Sequence, residues 1–94
     1  MRLATAGGII PPVNTKSKLL AAIVANPRQV RFADACKVAL ALGFEHKGGA
    51  GSHTAFARRG EPVGLNFQNR GGYVPPYQAR QSVEMIRKYA GAQE

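Results

Sequence analysis

Apolar residues along this chain fall into three helical stripes and three short alternating runs. Leu19, Leu20, Ile23 and Val24 recur at the three- and four-residue spacing of a helix. Asn14 or Thr15 can cap it, and Asn26-Pro27 stops it because the residue before a proline avoids the helical region. A second helix is predicted from about Phe32 to Leu42, with Phe32, Cys36, Ala39 and Leu40 on one stripe, Asp34 in the first turn and Gly43 suited to a left-handed cap. Three extended segments follow, Phe44 to Lys47, Ser52 to Arg59 and Val63 to Gln68, separated by Gly48-Gly49-Ala50-Gly51 and by Gly60-Glu61-Pro62. They read as an antiparallel meander. A loop from Asn69 through Gly71-Gly72 to Pro75-Pro76 leads into a last helix whose stripe is Ala79, Val83, Ile86 and Ala90, and Gly91 can close it. Residues 1–13 hold two glycines, two prolines and no usable periodicity, so they read as a flexible extension before a single domain at 14–94.

The element order α-α-β-β-β-α predicts an α+β fold. Helices with one apolar stripe must cover one face of a three-stranded antiparallel sheet, leaving the other face to solvent or a ligand. Phe44, Phe56, Leu65 and Phe67 form the inward set. The opposite parity gives Lys47, His53, Ala55, Ala57, Arg59, Gly64, Asn66 and Gln68, a polar, basic or small face that can admit a nucleotide strand.

Charge narrows the choice of partner. Thirteen Lys and Arg against five Asp and Glu give this 94-residue chain a formal charge of +8, which makes a polyanion, and nucleic acid first, the expected partner. A membrane is not expected: no apolar run approaches the ~20 residues of a spanning helix, and the basic residues do not line one amphipathic face. The first twelve residues make a poor secretion signal, because Gly7-Gly8 interrupts their apolar part and Pro11-Pro12 ends it. Cys36 is the only cysteine, so no intramolecular disulfide can form, which fits a reducing cytoplasm; its helical spacing beside Phe32 and Ala39 places it in the core.

The candidate chemistry centres on Gly51-Ser52-His53 and Phe56. With Phe56 buried, strand alternation points His53 the other way, onto the open face. A histidine, with an unperturbed pKa of about 6.5, can both take and give a proton near neutrality. Removing the proton from a ribose 2′-hydroxyl makes it a nucleophile toward the adjacent phosphorus, and the leaving 5′-oxygen needs a proton back, so acid and base catalysis can cut RNA without a metal. No metal site and no cofactor is expected, since Asp34, Glu45, Glu61, Glu84 and Glu94 are scattered and no His, Cys or carboxylate pair has ligand spacing. Glycines 48, 49 and 51 let the chain approach a phosphate closely, Ser52 supplies a hydroxyl, and Lys47, Arg58, Arg59 and Arg70 can grip phosphates. Tyr73 or Tyr77 can stack on a base. His46 falls on the Phe44 side by alternation, away from His53 unless a bulge shifts the register.

Over residues 16–91 the chain resembles HicA-type toxins, the mRNA interferases of bacterial toxin–antitoxin pairs. The residues carrying the likeness are Val30-Arg31-Phe32 entering the second helix, Leu42-Gly43-Phe44 leaving it, Gly51-Ser52-His53 with Phe56, and Pro76-Tyr77-Gln78-Ala79-Arg80-Gln81 opening the last helix. The resemblance implies a fold like that of double-stranded-RNA-binding domains, RNA cleavage by His53, and neutralisation by a HicB-type antitoxin in a higher-order complex. Many members carry a histidine just beyond the third strand, where this chain has Gln68-Asn69-Arg70.

Three functional hypotheses follow. The first is a metal-independent endoribonuclease toxin acting on mRNA, with His53 as general acid/base. The second is a non-catalytic RNA-binding module of the same shape, and the third a DNA-binding partner protein, which fold alone does not separate from the others.

Overall fold

Helix α1 spans Thr15–Ala25 and α2 spans Phe32–Ala41 in a computed structural model that describes residues 15–49 and 51–90. The capping side chains of Asn14 and Thr15, the extension over 1–13 and the stop at Gly91 lie outside what is described. Strands β1 (Glu45–Gly48), β2 (His53–Ala57) and β3 (Leu65–Gln68) form one antiparallel sheet in the order β1-β2-β3. Helix α3 (Pro76–Met85) starts on its proline and runs into a π-helical turn, Ile86–Ala90. The α+β class and the order of elements are those the pattern predicts.

Helix α2 ends on a Schellman turn. Gly43 adopts φ +90°, its N–H donates to the Leu40 carbonyl at 3.0 Å, and the Phe44 N–H donates to the Ala39 carbonyl at 3.0 Å. This satisfies the helix's last carbonyls and delivers Phe44 directly into the core, where it is 2 % exposed. Because the Phe44 N–H belongs to the cap, the sheet ladder starts at Glu45, one residue later than expected.

The sheet's alternation holds. Phe44, Phe56, Leu65 and Phe67 are all buried against α2 and α3, each worth roughly 1.5–3 kcal/mol of burial. The register pairs His53 with Gln68, Thr54 with Phe67, Ala55 with Asn66 and Phe56 with Leu65, so His53, Ala55, Ala57, Asn66 and Gln68 share the other face. Glu45 also stands on that face, a carboxylate among residues expected to be basic, polar or small.

The predicted stripe of α2 is rotated. Ala35, Val38, Ala39 and Leu42 are buried, whereas Leu40 is 56 % exposed and Phe32 and Cys36 are half-buried. Sequence spacing allows either stripe; the sheet selects the one that meets Phe44 and Phe67. Cys36 is therefore not a core residue, although partial burial still raises its thiol pKa by desolvation.

Strands β2 and β3 are shorter than predicted because a polar knot occupies the turn between them. Arg58 leaves the ladder to donate from Nε to the Leu42 carbonyl at 2.9 Å, with its guanidinium 3.7 Å from the centre of the Tyr89 ring. The Glu61 side chain, 1 % exposed, accepts from Lys88 Nζ at 2.7 Å, from the Tyr89 hydroxyl and from the Val63 N–H at 3.0 Å. Those donors, Lys88 foremost and then Tyr89 and Val63, pull the Glu61 carboxyl down to about 2. The knot ties the π-helical turn to the sheet. Among the described residues, one buried side-chain oxygen lacks a partner, Ser82 Oγ in α3.

Two stability measurements check this packing. A carboxyl lowered from 4.5 to about 2 stabilises the fold fully above 4.5 and loses that contribution as pH falls toward 2. Glu61→Gln should therefore lower Tm at pH 7 by about 5–10 °C, with the gap to wild type closing between pH 4.5 and 2 in melts followed by circular dichroism. Ser82→Ala should leave Tm unchanged or raise it by a few degrees, because it removes an unsatisfied buried hydroxyl and adds helix propensity.

Candidate functional site

His53 opens β2 and is exposed, as its parity with buried Phe56 requires. Its Nδ1 lies 3.4 Å from the Ser52 hydroxyl, which can donate or accept and so influence which ring nitrogen carries the proton. The turn before it depends on two glycines used differently. Gly49 has φ +110°, and a Cβ there would fall 2.4 Å from the His53 carbonyl oxygen and 2.7 Å from the Thr54 Cα. Its lack of a side chain is thus a packing requirement of the strand that carries His53. Gly51, at φ +62°, faces open space with nothing within 4 Å, so bare backbone is presented immediately before Ser52.

The main chain gathers further residues at this end. The Asn69 N–H donates to the Ser52 carbonyl at 2.7 Å, and the Asn69 side-chain oxygen accepts from the Gly72 N–H at 2.7 Å. Tyr73 bridges both Arg70 and Arg31, and the Phe32 N–H donates to the Gly72 carbonyl at 2.9 Å. The 69–73 loop is thereby stitched to the His53 end of β2 and to the start of α2, which places exposed Arg31 and Arg70 at that end. Arg31 was visible in sequence only as part of a helix start. Its bridge to Tyr73, which also pairs with Arg70, spans some forty residues, which no local pattern encodes.

The other expected phosphate-gripping residues lie elsewhere. Lys47, Arg58 and Arg59 border a cavity of about 560 Å³ with Gly43, Glu45 and Ala57. Along β2 this is about 13 Å from His53, a reach of a few nucleotides. Lys47 shares its charge with Glu45 at 3.4 Å, an exposed pair worth little to stability. Arg58 is engaged by the Leu42 carbonyl and the Tyr89 ring and serves the fold. Arg59 is exposed.

His46 keeps to the Phe56 side, with ring centres 5.5 Å apart and edge-on at 78°. Its pairing with Phe56 precedes the bulge between His46 and Gly48, so the strand parity that separates it from His53 is kept. Both histidines border one open cavity of about 410 Å³, with Phe32, Cys36 and Leu40 of α2 and with Gly49, Gly51, Thr54 and Phe56.

Gln78, 7 % exposed, is a contributor whose role the sequence concealed. Its Oε1 accepts from the Gln68 N–H at 2.8 Å and its Nε2 donates to the Tyr77 hydroxyl at 3.3 Å. It fixes the end of β3 opposite His53, since Gln68 is the register partner of His53. Tyr73 and Tyr77 are 41 % and 54 % exposed, so both rings are accessible. Among the described residues no three His, Cys, Asp or Glu side chains gather in metal-binding geometry, and no helix is long and apolar enough to cross a membrane. Comparison with protein-family models, curated proteins and solved structures finds no match to this chain.

The glycine geometry yields a test of the scaffold. Gly51→Ala should cost about 1–2 kcal/mol, the strain of a left-handed alanine. Gly49→Ala should cost more, because its methyl also collides with the His53 backbone. Urea denaturation of the two variants should rank them in that order.

Proposed function

We propose that this protein is an endoribonuclease of the HicA type, cutting mRNA without a metal by proton transfer at His53. The observation that carries the reading is the placement of that imidazole: exposed, beside the Ser52 hydroxyl, on the strand end that follows the open backbone of Gly51. The surrounding charge favours a phosphodiester, with Arg31 and Arg70 at the same end and Lys47 and Arg59 further along the uncovered sheet face. In this reading His53 takes the 2′-hydroxyl proton as the 2′-oxygen bonds to phosphorus. The phosphorus–O5′ bond breaks, and the departing 5′-oxygen receives a proton from the imidazolium. The products are a 2′,3′-cyclic phosphate and a 5′-hydroxyl.

The α+β architecture, with helices over one sheet face, is compatible with the double-stranded-RNA-binding-like fold that the HicA resemblance implies. The same resemblance supplies the regulatory half of the proposal, a HicB-type antitoxin that covers His53 within a higher-order complex.

Cleavage assays in EDTA test the chemistry. His53→Ala should reduce RNA cutting by about 10²–10⁴-fold while leaving RNA affinity within a few-fold, and a 2′-deoxy strand should stay intact. Undiminished cutting by the variant would remove His53 from the mechanism. RNA binding with no cutting by the wild type would leave a non-catalytic RNA-binding module, and cutting of the 2′-deoxy strand would exclude 2′-hydroxyl chemistry.

A further inference from the structure

The cavity between α2 and the β1–β2 turn has a composition that phosphate binding does not explain. Phe32, Cys36 and Leu40 stand at four-residue spacing on α2, outside its buried stripe, and leave Leu40 56 % exposed. Phe56 and the edge-on ring of His46 form the opposite wall. The turn contributes His53, Thr54 and the glycines 49 and 51. No carboxylate borders it, and Arg31 immediately precedes Phe32 at its α2 end.

Flat apolar walls with a few hydrogen-bonding groups match the needs of an unstacked nucleobase, which buries its faces and satisfies its edges. At about 410 Å³ the volume lies within the roughly 300–1,000 Å³ of small-ligand sites. Because His53 belongs to its rim, a base seated here keeps its own ribose and phosphate beside the imidazole.

We propose that this cavity is the base-binding subsite of the enzyme, holding one splayed nucleobase of single-stranded RNA next to the bond that His53 cuts. The inference rests on the ribonuclease reading above and adds to it where substrate selection occurs. Base identity is read by the His46 and Thr54 side chains and the turn backbone, and affinity comes from the Phe32–Leu40 wall.

Cys36, the chain's sole cysteine, gives the wild-type protein a reporter inside the cavity. The rate of its alkylation by uncharged N-ethylmaleimide is measured with short single-stranded 2′-O-methyl RNAs of each base, which have no free 2′-hydroxyl to react, and with an abasic strand of equal length and charge. At strand concentrations about ten times Kd, at least one base-bearing strand should slow alkylation about tenfold, and the abasic strand should leave it near the free rate. Leu40→Glu, at an exposed helix position, should weaken binding of the protecting strand by about fivefold to a hundredfold without lowering Tm.

Strands that bind by fluorescence anisotropy while Cys36 reacts at its free rate would overturn the subsite and leave His53 catalysis standing. Equal protection by the abasic strand would also overturn it, as would protection by a partner protein but never by RNA. Failure of every strand to bind at low salt would overturn both proposals. Base-dependent protection without any cutting of ordinary RNA would keep the subsite and remove the enzyme.

Discussion

The burial of Phe56 in the middle strand constrains everything else in this molecule. Its ring packs 6.0 Å from Phe67 and meets His46 at its edge, so β2 is pinned with one parity inward. A slip of one residue would bring His53 beneath the helices and expose Phe56, exchanging an ionisable ring for an aromatic one in the core. The cost of burying an imidazole among Phe44, Leu65 and Phe67 makes that register inaccessible. The candidate catalytic residue is therefore exposed as a consequence of hydrophobic packing.

Two polar devices hold this sheet in place. Arg58 and Glu61 occupy the β2–β3 turn and reach Leu42, Val63, Lys88 and Tyr89, joining the end of α2 to the π-helical turn that closes the described chain. Gln78 does the corresponding work at the opposite end, its side-chain oxygen accepting from the Gln68 N–H of β3. With both ends fixed, the β1–β2 turn is free to carry the glycines that the candidate site uses.

Helix α2 serves two surfaces at once. Ala35, Val38, Ala39 and Leu42 seal the core, while Phe32, Cys36 and Leu40 are offset around the helix and form one wall of the cavity. Small alanines on the buried stripe let the helix sit close to the sheet, and the larger residues remain for the flank. His46, Thr54 and Phe56 line the cavity from the sheet, so strand parity and helix composition meet there.

The three strands, the three helices and the inward quartet were legible in the sequence because period-two and period-3.6 patterns are local and the turns carry their own glycine and proline signals. Exposure of His53 followed from the same alternation. Local pattern could not choose between the two stripes of α2, since both are apolar and only contact with the sheet distinguishes them. Nor could it show that Arg58 would turn inward, that Glu61 would be buried, or that Arg31 would pair with Tyr73, because each depends on partners 16 to 40 or so residues away. That His46 and His53 border one cavity is likewise decided by tertiary packing. Sequence thus determined which residues face inward on each strand, and tertiary contact decided which of the remaining residues came to share a surface.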